Sequence, residues 1–200
     1  LDANYTQRSR QINYHAISEN RDYNFDVTGN YKLGDSLTRD QIDLNATLNP
    51  TKIEPIKKYL STVFSDMSGF ATGNLRVVGA VNDLRYLGKV QLTEGRLKVT
   101  YTNVVYKIPS ATFDFKEDQI DFGSFTIQDT FQNKGSITKG ILRHPGFNDL
   151  DFDFAMNTNK LLVLATNNQG NDPFYGNVIA KANMSLVGPL SDMQMDIEAE

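Results

Sequence analysis

The chain has 200 residues, of which 40% are hydrophobic and 22% charged, with 14 Gly and 6 Pro. This composition excludes a disordered or collagen-like chain and fits one folded domain or one long all-β unit. The formal net charge is −4, so overall electrostatics do not attract the chain to phosphate backbones, and we expect no nucleic-acid partner. The absence of Cys excludes disulfides, thiolate nucleophiles and zinc–cysteine sites.

Alternation of apolar and polar residues is the main signal along the chain. Apolar residues occupy every second position from Tyr23 to Val27 and from Ile42 to Leu48. This period of two places one apolar and one polar face on a β-strand. We therefore predict strands between residues 5 and 48. Because the chain starts at Leu1 rather than Met and ends inside a strand-like pattern, we expect it to be a piece of a longer protein.

One segment has the periodicity of a helix instead. Apolar residues fall at i, i+3, i+4, i+7, i+8 and i+11: Ile56, Tyr59, Leu60, Val63, Phe64 and Met67. This spacing predicts a short amphipathic helix over residues 55–66, within a connector that covers 51–69. Glu54 is favoured as the cap with Pro55 as the first helical residue. A capping box from Thr51 to Glu54 would place Pro55 deeper in the helix, where proline is costly.

Alternation returns after residue 70 and predicts nine to eleven further strands in a main segment 70–200. It is clearest from Leu97 to Tyr101, from Leu150 to Met156, from Val178 to Leu186 and from Met193 to Ala199. Turn formers separate the runs at the spacing of an antiparallel meander. The predicted fold is therefore all-β and rich in antiparallel pairs.

Two all-β architectures remain open, because one strand face is apolar in both. One is an open, curved β-groove with an apolar interior, and the other is a closed β-sandwich whose two inner faces fill each other. An outer-membrane barrel ranks last, because an amphipathic segment interrupts the strands and the aromatic residues lie in mid-strand.

No pattern in the sequence indicates an enzyme, a metal site or a cofactor. His15 and His144 lack a nucleophile or carboxylates at a recognisable spacing, so no catalytic residue is assigned. The acidic series that starts at Asp149 resembles a calcium loop, but Phe154 stands where the loop needs Gly and Lys160 where it needs Glu. These carboxylates are predicted to form the solvated face of a strand. No glycine-rich phosphate loop is present.

The predicted apolar face consists of large or flexible side chains. In an open sheet they would line a trough in which a lipid tail or another hydrophobic guest is the missing filler. Seventeen residues are predicted to line it: Leu97, Val99, Tyr101, Phe113, Phe115, Phe122, Phe125, Ile127, Leu150, Phe152, Phe154, Met156, Val178, Met184, Leu186, Met193 and Met195.

An ordered succession of motifs follows the amphipathic segment. It starts with Ser-Gly-x-x-x-Gly-x-Leu-x-Val-x-Gly over residues 68–79. The later motifs are GKVQLTEG at 88–95, YKI at 106–108, FTIQD at 125–129, GSITKG at 135–140, PFYG at 173–176 and the run 180–188. This succession resembles the TamB family, the translocation and assembly module proteins of the Gram-negative envelope, within the AsmA-like group. The resemblance covers about residues 55–200, whereas residues 1–50 match only in style and are expected to be a β stretch at the end of a preceding groove segment.

The resemblance implies a periplasmic β-groove in a parent protein that is anchored in the inner membrane and reaches the outer membrane. It implies that the groove conducts phospholipid between the two membranes, supports outer-membrane protein assembly, or both. An Omp85-type outer-membrane barrel is the implied partner, through regions outside these 200 residues. No catalytic residue or cofactor follows from the family. The alternative function is a closed scaffold or adhesin-type binding module without lipid.

Overall fold

Thirteen β-strands hydrogen-bond into a single antiparallel sheet in the computed structural model, which describes residues 1–145, 149–167 and 175–200. The strands are β1 (Asp2–Thr6), β2 (Gln11–Glu19), β3 (Tyr23–Lys32), β4 (Gln41–Lys52), β5 (Phe64–Ala80), β6 (Asp83–Val99), β7 (Val105–Lys116), β8 (Gln119–Asp121), β9 (Phe125–Gln128), β10 (Lys134–Arg143), β11 (Asp151–Thr166), β12 (Gly176–Pro189) and β13 (Gln194–Ala199). The all-β prediction is confirmed, with four strands before residue 53 and nine after it.

Neighbouring strands in the sheet follow chain order, as expected for a meander. The exception is the middle of the sheet, where β8 and β9 are short strands that both lie between β7 and β10. Within the described residues, β1 and β13 each pair with one neighbour only, so the sheet is open at both edges. The predicted segments 1–50, 51–69 and 70–200 all contribute strands to one continuous hydrogen-bonded sheet.

The helical segment is shorter than the periodicity predicts. A 3-10 helix spans Glu54–Tyr59, and Phe64 already begins β5. Met67, the last residue of the predicted apolar stripe, pairs with Leu97 of β6. The prediction of a helix over 55–66 is therefore wrong in its second half, because strand pairing along the whole of β6 supplies more backbone hydrogen bonds than one extra helical turn.

The predicted start of the helix is also corrected. Ile53 is the capping residue, it makes no side-chain capping bond, and Glu54 is the first helical residue. Pro55 therefore lies in the first turn, where its missing N–H removes no intrahelical hydrogen bond. None of the helices in the described residues has the length and hydrophobicity needed to cross a membrane.

Glycines allow close contact between the two longest strands, β5 and β6, which have 17 residues each. Gly73 and Gly88 have φ of 145° and 142°, a region that side chains rarely adopt. A Cβ at Gly88 would lie 2.2 Å from the carbonyl oxygen of Asn74. The backbones of β5 and β6 therefore approach closely at these glycines.

The buried core lies towards the middle of the sheet. No side chain of β1 to β4 is fully buried, whereas β6, β7, β11 and β12 contribute most of the core. The larger apolar cluster contains Leu92, Val104, Tyr106, Ile108, Ala111, Ile127, Leu161, Leu162, Val163, Ala180 and Ala182. A smaller cluster contains Ile120, Leu142 and Phe152. Apolar surface is therefore covered in the centre and left partly open towards the edges.

Candidate apolar groove

Strand register aligns the apolar positions of ten strands in one row across the sheet. From β2 to β12 the successive partners are Ala16, Val27, Ala46, Leu75, Gly88, Phe115, Ile120, Leu142, Phe152 and Gly188. Nine spacings of about 4.8 Å make this row about 43 Å long. Every member is apolar or Gly, so one face of the sheet carries a continuous apolar path. We call this the groove face.

The next row along the strands belongs to the opposite face and is mostly polar. From β2 to β13 it contains Ile17, Asp26, Thr47, Asn74, Lys89, Asp114, Asp121, Ile141, Asp153, Val187 and Gln194. Because side chains alternate across a strand, the register that these two rows share places the two kinds of residue on opposite faces. We call this second surface the polar face.

The strand pairing brings most of the predicted lining residues to the groove face. Thirteen of the seventeen lie in strands, and their partners are other apolar residues or glycines, as in the pairs Phe113 with Val90 and Met156 with Met184. The other four, Tyr101, Phe122, Leu150 and Met193, lie in turns or next to strand ends.

Burial divides the same seventeen residues into three groups. Ile127 and Phe152 are buried. Four are exposed, namely Tyr101 at 71%, Val178 at 44%, Met193 at 37% and Met195 at 38%. The other eleven are partly buried: Leu97, Val99, Phe113, Phe115, Phe122, Phe125, Leu150, Phe154, Met156, Met184 and Leu186. The exposed ones lie towards the β12–β13 edge, with the exception of Tyr101 in the turn between β6 and β7.

Phenylalanines that are far apart in sequence meet on the groove face. The ring centroids of Phe113 and Phe122 are 4.8 Å apart, and those of Phe122 and Phe154 are 5.4 Å apart. Phe152 follows at 6.3 Å from Phe154. These edge-on and tilted contacts join β7, the residue after β8, and β11 in one aromatic surface.

One part of the groove face is filled by the protein itself. Beyond the short β9–β10 hairpin, the Tyr106 hydroxyl donates a hydrogen bond to the Leu162 carbonyl at 2.8 Å. The Asn103 side chain donates to the Ala165 carbonyl at 2.6 Å, and Leu161 and Val104 are fully buried in the same apolar cluster. β7 and β11 contact each other directly here, so the chain itself covers Leu161 and Val104.

A buried carboxylate stabilises this filled end. Asp129 is 1% exposed and accepts hydrogen bonds from the backbone of Phe131, Asn133 and Leu162 and from the Asn133 side chain. Burial acts to raise the pKa of Asp129, but these hydrogen bonds outweigh it and hold the pKa below its usual value. The carboxylate therefore stays ionised and fixes the turn after β9 against β11.

The two histidines have different surroundings. His15 contacts Asp26 on the polar face at 2.8 Å, and both side chains are about half exposed. His144 follows β10, is fully buried, and packs edge-on against Tyr86 with ring centroids 6.1 Å apart. Burial lowers the pKa of His144.

Carboxylates of β11 form ion pairs on the polar face. Asp151 pairs with Arg143 at 2.8 Å, and Asp153 pairs with Lys139 at 2.6 Å. The predicted solvated strand face is confirmed for Asp151, whose side chain is 41% exposed, whereas Lys139 and Arg143 cover most of Asp153, which is 19% exposed. The described residues contain no group of three or more His, Cys, Asp or Glu that could hold a metal.

Sequence reasoning missed much of the groove face. Tyr14, Phe25, Leu44, Leu75 and Leu142 share this face through the register but were not assigned to the lining. Alternation in β3 and β4 could have identified some of them, because the same period of two is present there. The alignment between strands could not be read from the sequence.

No protein-family model, no curated protein and no solved structure matches this chain. The relation to the TamB family therefore rests on the succession of motifs and stays a prediction.

Proposed function

We propose that the chain is a segment of an envelope protein whose groove face conducts phospholipid between the inner and outer membranes, supports outer-membrane protein assembly, or both. The observation that carries the proposal is the continuous apolar row over ten strands of a sheet that is open at both edges. The periplasmic location, the inner-membrane anchor of the parent and the Omp85-type barrel partner are proposed from the motif resemblance.

The energetics of lipid transfer fit such a surface. Burying one CH₂ group is worth roughly 0.8 kcal/mol, so moving an acyl chain of about sixteen carbons through water costs on the order of 12 kcal/mol. A row about 43 Å long is longer than the roughly 30 Å hydrocarbon core of a bilayer. A continuous apolar path of this length would lower the barrier without needing a specific polar contact.

The partly open regions of the groove face are the places where a guest would make contact. Tyr23 in β3 and Ile197 and Met195 in β13 remain 38% to 47% exposed on this face. At the filled end, Leu161 and Val104 are fully buried and are not available to a guest. A lipid tail is therefore proposed to lie over the phenylalanine surface and the edge strands rather than over the β7–β11 contact.

Position-specific crosslinking tests this assignment. A photoreactive benzophenone amino acid is placed at Met195 on the groove face, and in a control at Val187 on the polar face. The two sites are 38% and 48% exposed and lie on neighbouring strands, so both should tolerate the substitution. The folded chain is incubated with phosphatidylethanolamine and phosphatidylglycerol vesicles, irradiated, and analysed by mass spectrometry for lipid adducts.

We expect lipid adducts at Met195 and at most a few per cent of that yield at Val187. Equal yields at both positions, or no adduct at Met195 in a chain shown to be folded by circular dichroism, would contradict the conduit.

A scaffold or binding module without lipid is the second candidate. The filled cluster around Leu161, in which the chain buries its own apolar side chains, favours it. This candidate predicts no lipid adduct at either position.

A further inference from the structure

The polar face contains a row of side chains in which two cations oppose each other directly. The row crosses five strands and contains Ser68, Arg96, Lys107, Gln128 and Lys134. Arg96 of β6 and Lys107 of β7 are register partners. Like charges in directly opposite positions of a sheet destabilise it.

Elsewhere on the polar face, cations lie next to carboxylates. Arg76 contacts Asp43 at 2.9 Å, and Lys89 has Asp114 as its register partner. Among the described residues, Lys107 and Lys134 belong to none of the ion pairs within 4.0 Å. Carboxylates of the described residues therefore neutralise the positive charges of this row only in part.

Arg96 keeps donors available in spite of one ion pair. Its Nη1 contacts the Asp66 carboxylate at 2.6 Å, and the Lys57 ammonium shares that carboxylate at 3.3 Å. A guanidinium has five N–H donors, so several remain for a second acceptor. These two cations lower the pKa of Asp66, which keeps it ionised.

The row lies along a cleft with a volume of about 300 Å³. Ser68, Arg96, Lys107 and Gln128 line it together with Gly95, Ile108, Pro109 and Glu94. This space equals about ten water molecules, which is enough for a small phosphate ester. Glu94 stands at a register irregularity between β5 and β6 with φ of 53°, and brings one carboxylate to the same cleft.

We propose that this cleft binds a phosphate group on a ligand that also carries an ammonium, as in O-phosphoethanolamine. The phosphate lies between Arg96 and Lys107, which relieves their repulsion and uses the free guanidinium donors. The ammonium lies at Glu94, because a carboxylate in the cleft would repel a ligand with negative charge only.

The site lies on the face opposite the groove, so it goes beyond lipid conduction and does not depend on it. A free phosphate ester and a lipid headgroup present the same chemistry to the cleft. The experiment therefore includes both sources.

Isothermal titration of the folded chain with O-phosphoethanolamine at low ionic strength is the main measurement, because salt screens exposed charges. K107Q is expected to weaken binding of both O-phosphoethanolamine and inorganic phosphate at least fivefold. E94Q is expected to weaken binding of O-phosphoethanolamine at least threefold while leaving inorganic phosphate unchanged or tighter. The matched control is K89Q, which removes a lysine from the polar face of β6 and should change neither affinity by more than a factor of two.

Vesicles containing phosphatidylethanolamine identify the source. If the wild-type chain binds these vesicles and K107Q does not, the ligand is a lipid headgroup. If the chain binds only the soluble ester, the ligand is a free phosphate ester. The proposal is overturned if the wild-type chain binds neither phosphate compound, or if K89Q weakens binding as much as K107Q does. Failure of lipid adducts at Met195 would leave this site unaffected, so the two proposals fail separately.

Discussion

The Asp129 carboxylate accepts a hydrogen bond from the backbone N–H of Leu162 at 2.8 Å, across 33 residues of sequence. It thereby joins the turn after β9 to β11 at the point where β11 extends beyond the short hairpin. The Tyr106 hydroxyl donates to the carbonyl of the same Leu162. Side chains thus satisfy both polar groups of one backbone residue, which lets β11 be buried where it extends beyond its pairing with β10.

Replacing Asp129 with Asn should lower the free energy of unfolding by about 2 kcal/mol, because Asn offers one acceptor oxygen instead of two and no charge. The folded-state pKa of Asp129 is below its usual value, so its stabilising contribution is complete above about pH 4 and is lost as the pH falls through the folded pKa. Urea unfolding at pH 7 and pH 3 measures both effects.

The difference in unfolding free energy between Asp129→Asn and the wild type should therefore be smaller at pH 3 than at pH 7. Asp192→Asn, in the exposed turn before β13, serves as the control and should change stability by less than about 0.5 kcal/mol. A pH-independent difference for Asp129→Asn would show that its charge does not stabilise the fold.

Tyr106→Phe should lower the free energy of unfolding by about 1 to 2 kcal/mol, because it leaves the buried Leu162 carbonyl without its donor. Burial and the nearby Asp129 charge raise the pKa of Tyr106, so the hydroxyl remains a donor throughout the usual pH range. Guanidinium unfolding gives the difference. Tyr101→Phe is the matched control, since that side chain is 71% exposed and should tolerate the loss of its hydroxyl. Equal effects of both substitutions would argue against the cross-strand bond.

The sequence predicted the fold class because alternation is a local property. A period of two appears in β3, β4, β11 and β12 whatever their partners are, so the all-β meander followed from it. The prediction of a helix that ends at residue 66 is wrong for a non-local reason. Phe64 and Met67 have helical spacing to earlier residues, but β6 extends far enough to pair with them.

The groove face could be predicted only in part, because it depends on register. The phenylalanines at 113 and 154 were assigned to the lining from their own strands, but their common contact with Phe122 needs the β8 and β10 pairings. The filled end was not predictable at all. The filled end forms because β11 extends further than β9 and β10 do. No local pattern near Leu161 indicates that difference in strand length.

His144 should make the fold sensitive to mild acid. Its side chain is buried and its pKa is lowered mainly by that burial, while a backbone hydrogen bond and the Asp118 charge act in the opposite direction. The unfolded chain therefore binds a proton near pH 6.5 that the folded chain resists, so stability is full above this pH and falls as the pH drops towards the folded-state pKa.

Urea unfolding between pH 7.5 and pH 5 checks this. His144→Gln should make the free energy of unfolding less dependent on pH in this range. His15→Gln, at an exposed position of β2, should leave the pH dependence unchanged. A wild-type chain whose stability does not change between pH 7 and pH 5 would refute the role of His144.

Gly88→Ala should destabilise the sheet by about 3 kcal/mol or more, since it combines a disallowed φ with a steric conflict. The new Cβ would lie 2.2 Å from the Asn74 carbonyl oxygen, which is backbone and can move only by separating β5 from β6. Gly176→Ala isolates the conformational part, because Gly176 has a similar φ of 131° but no heavy atom of the described residues within 4 Å of the added Cβ. Gly176→Ala should lower the free energy of unfolding by about 1 to 2 kcal/mol. Thermal unfolding of both variants gives the comparison, and equal losses would mean that the β5–β6 contact at Gly88 adds no steric restriction.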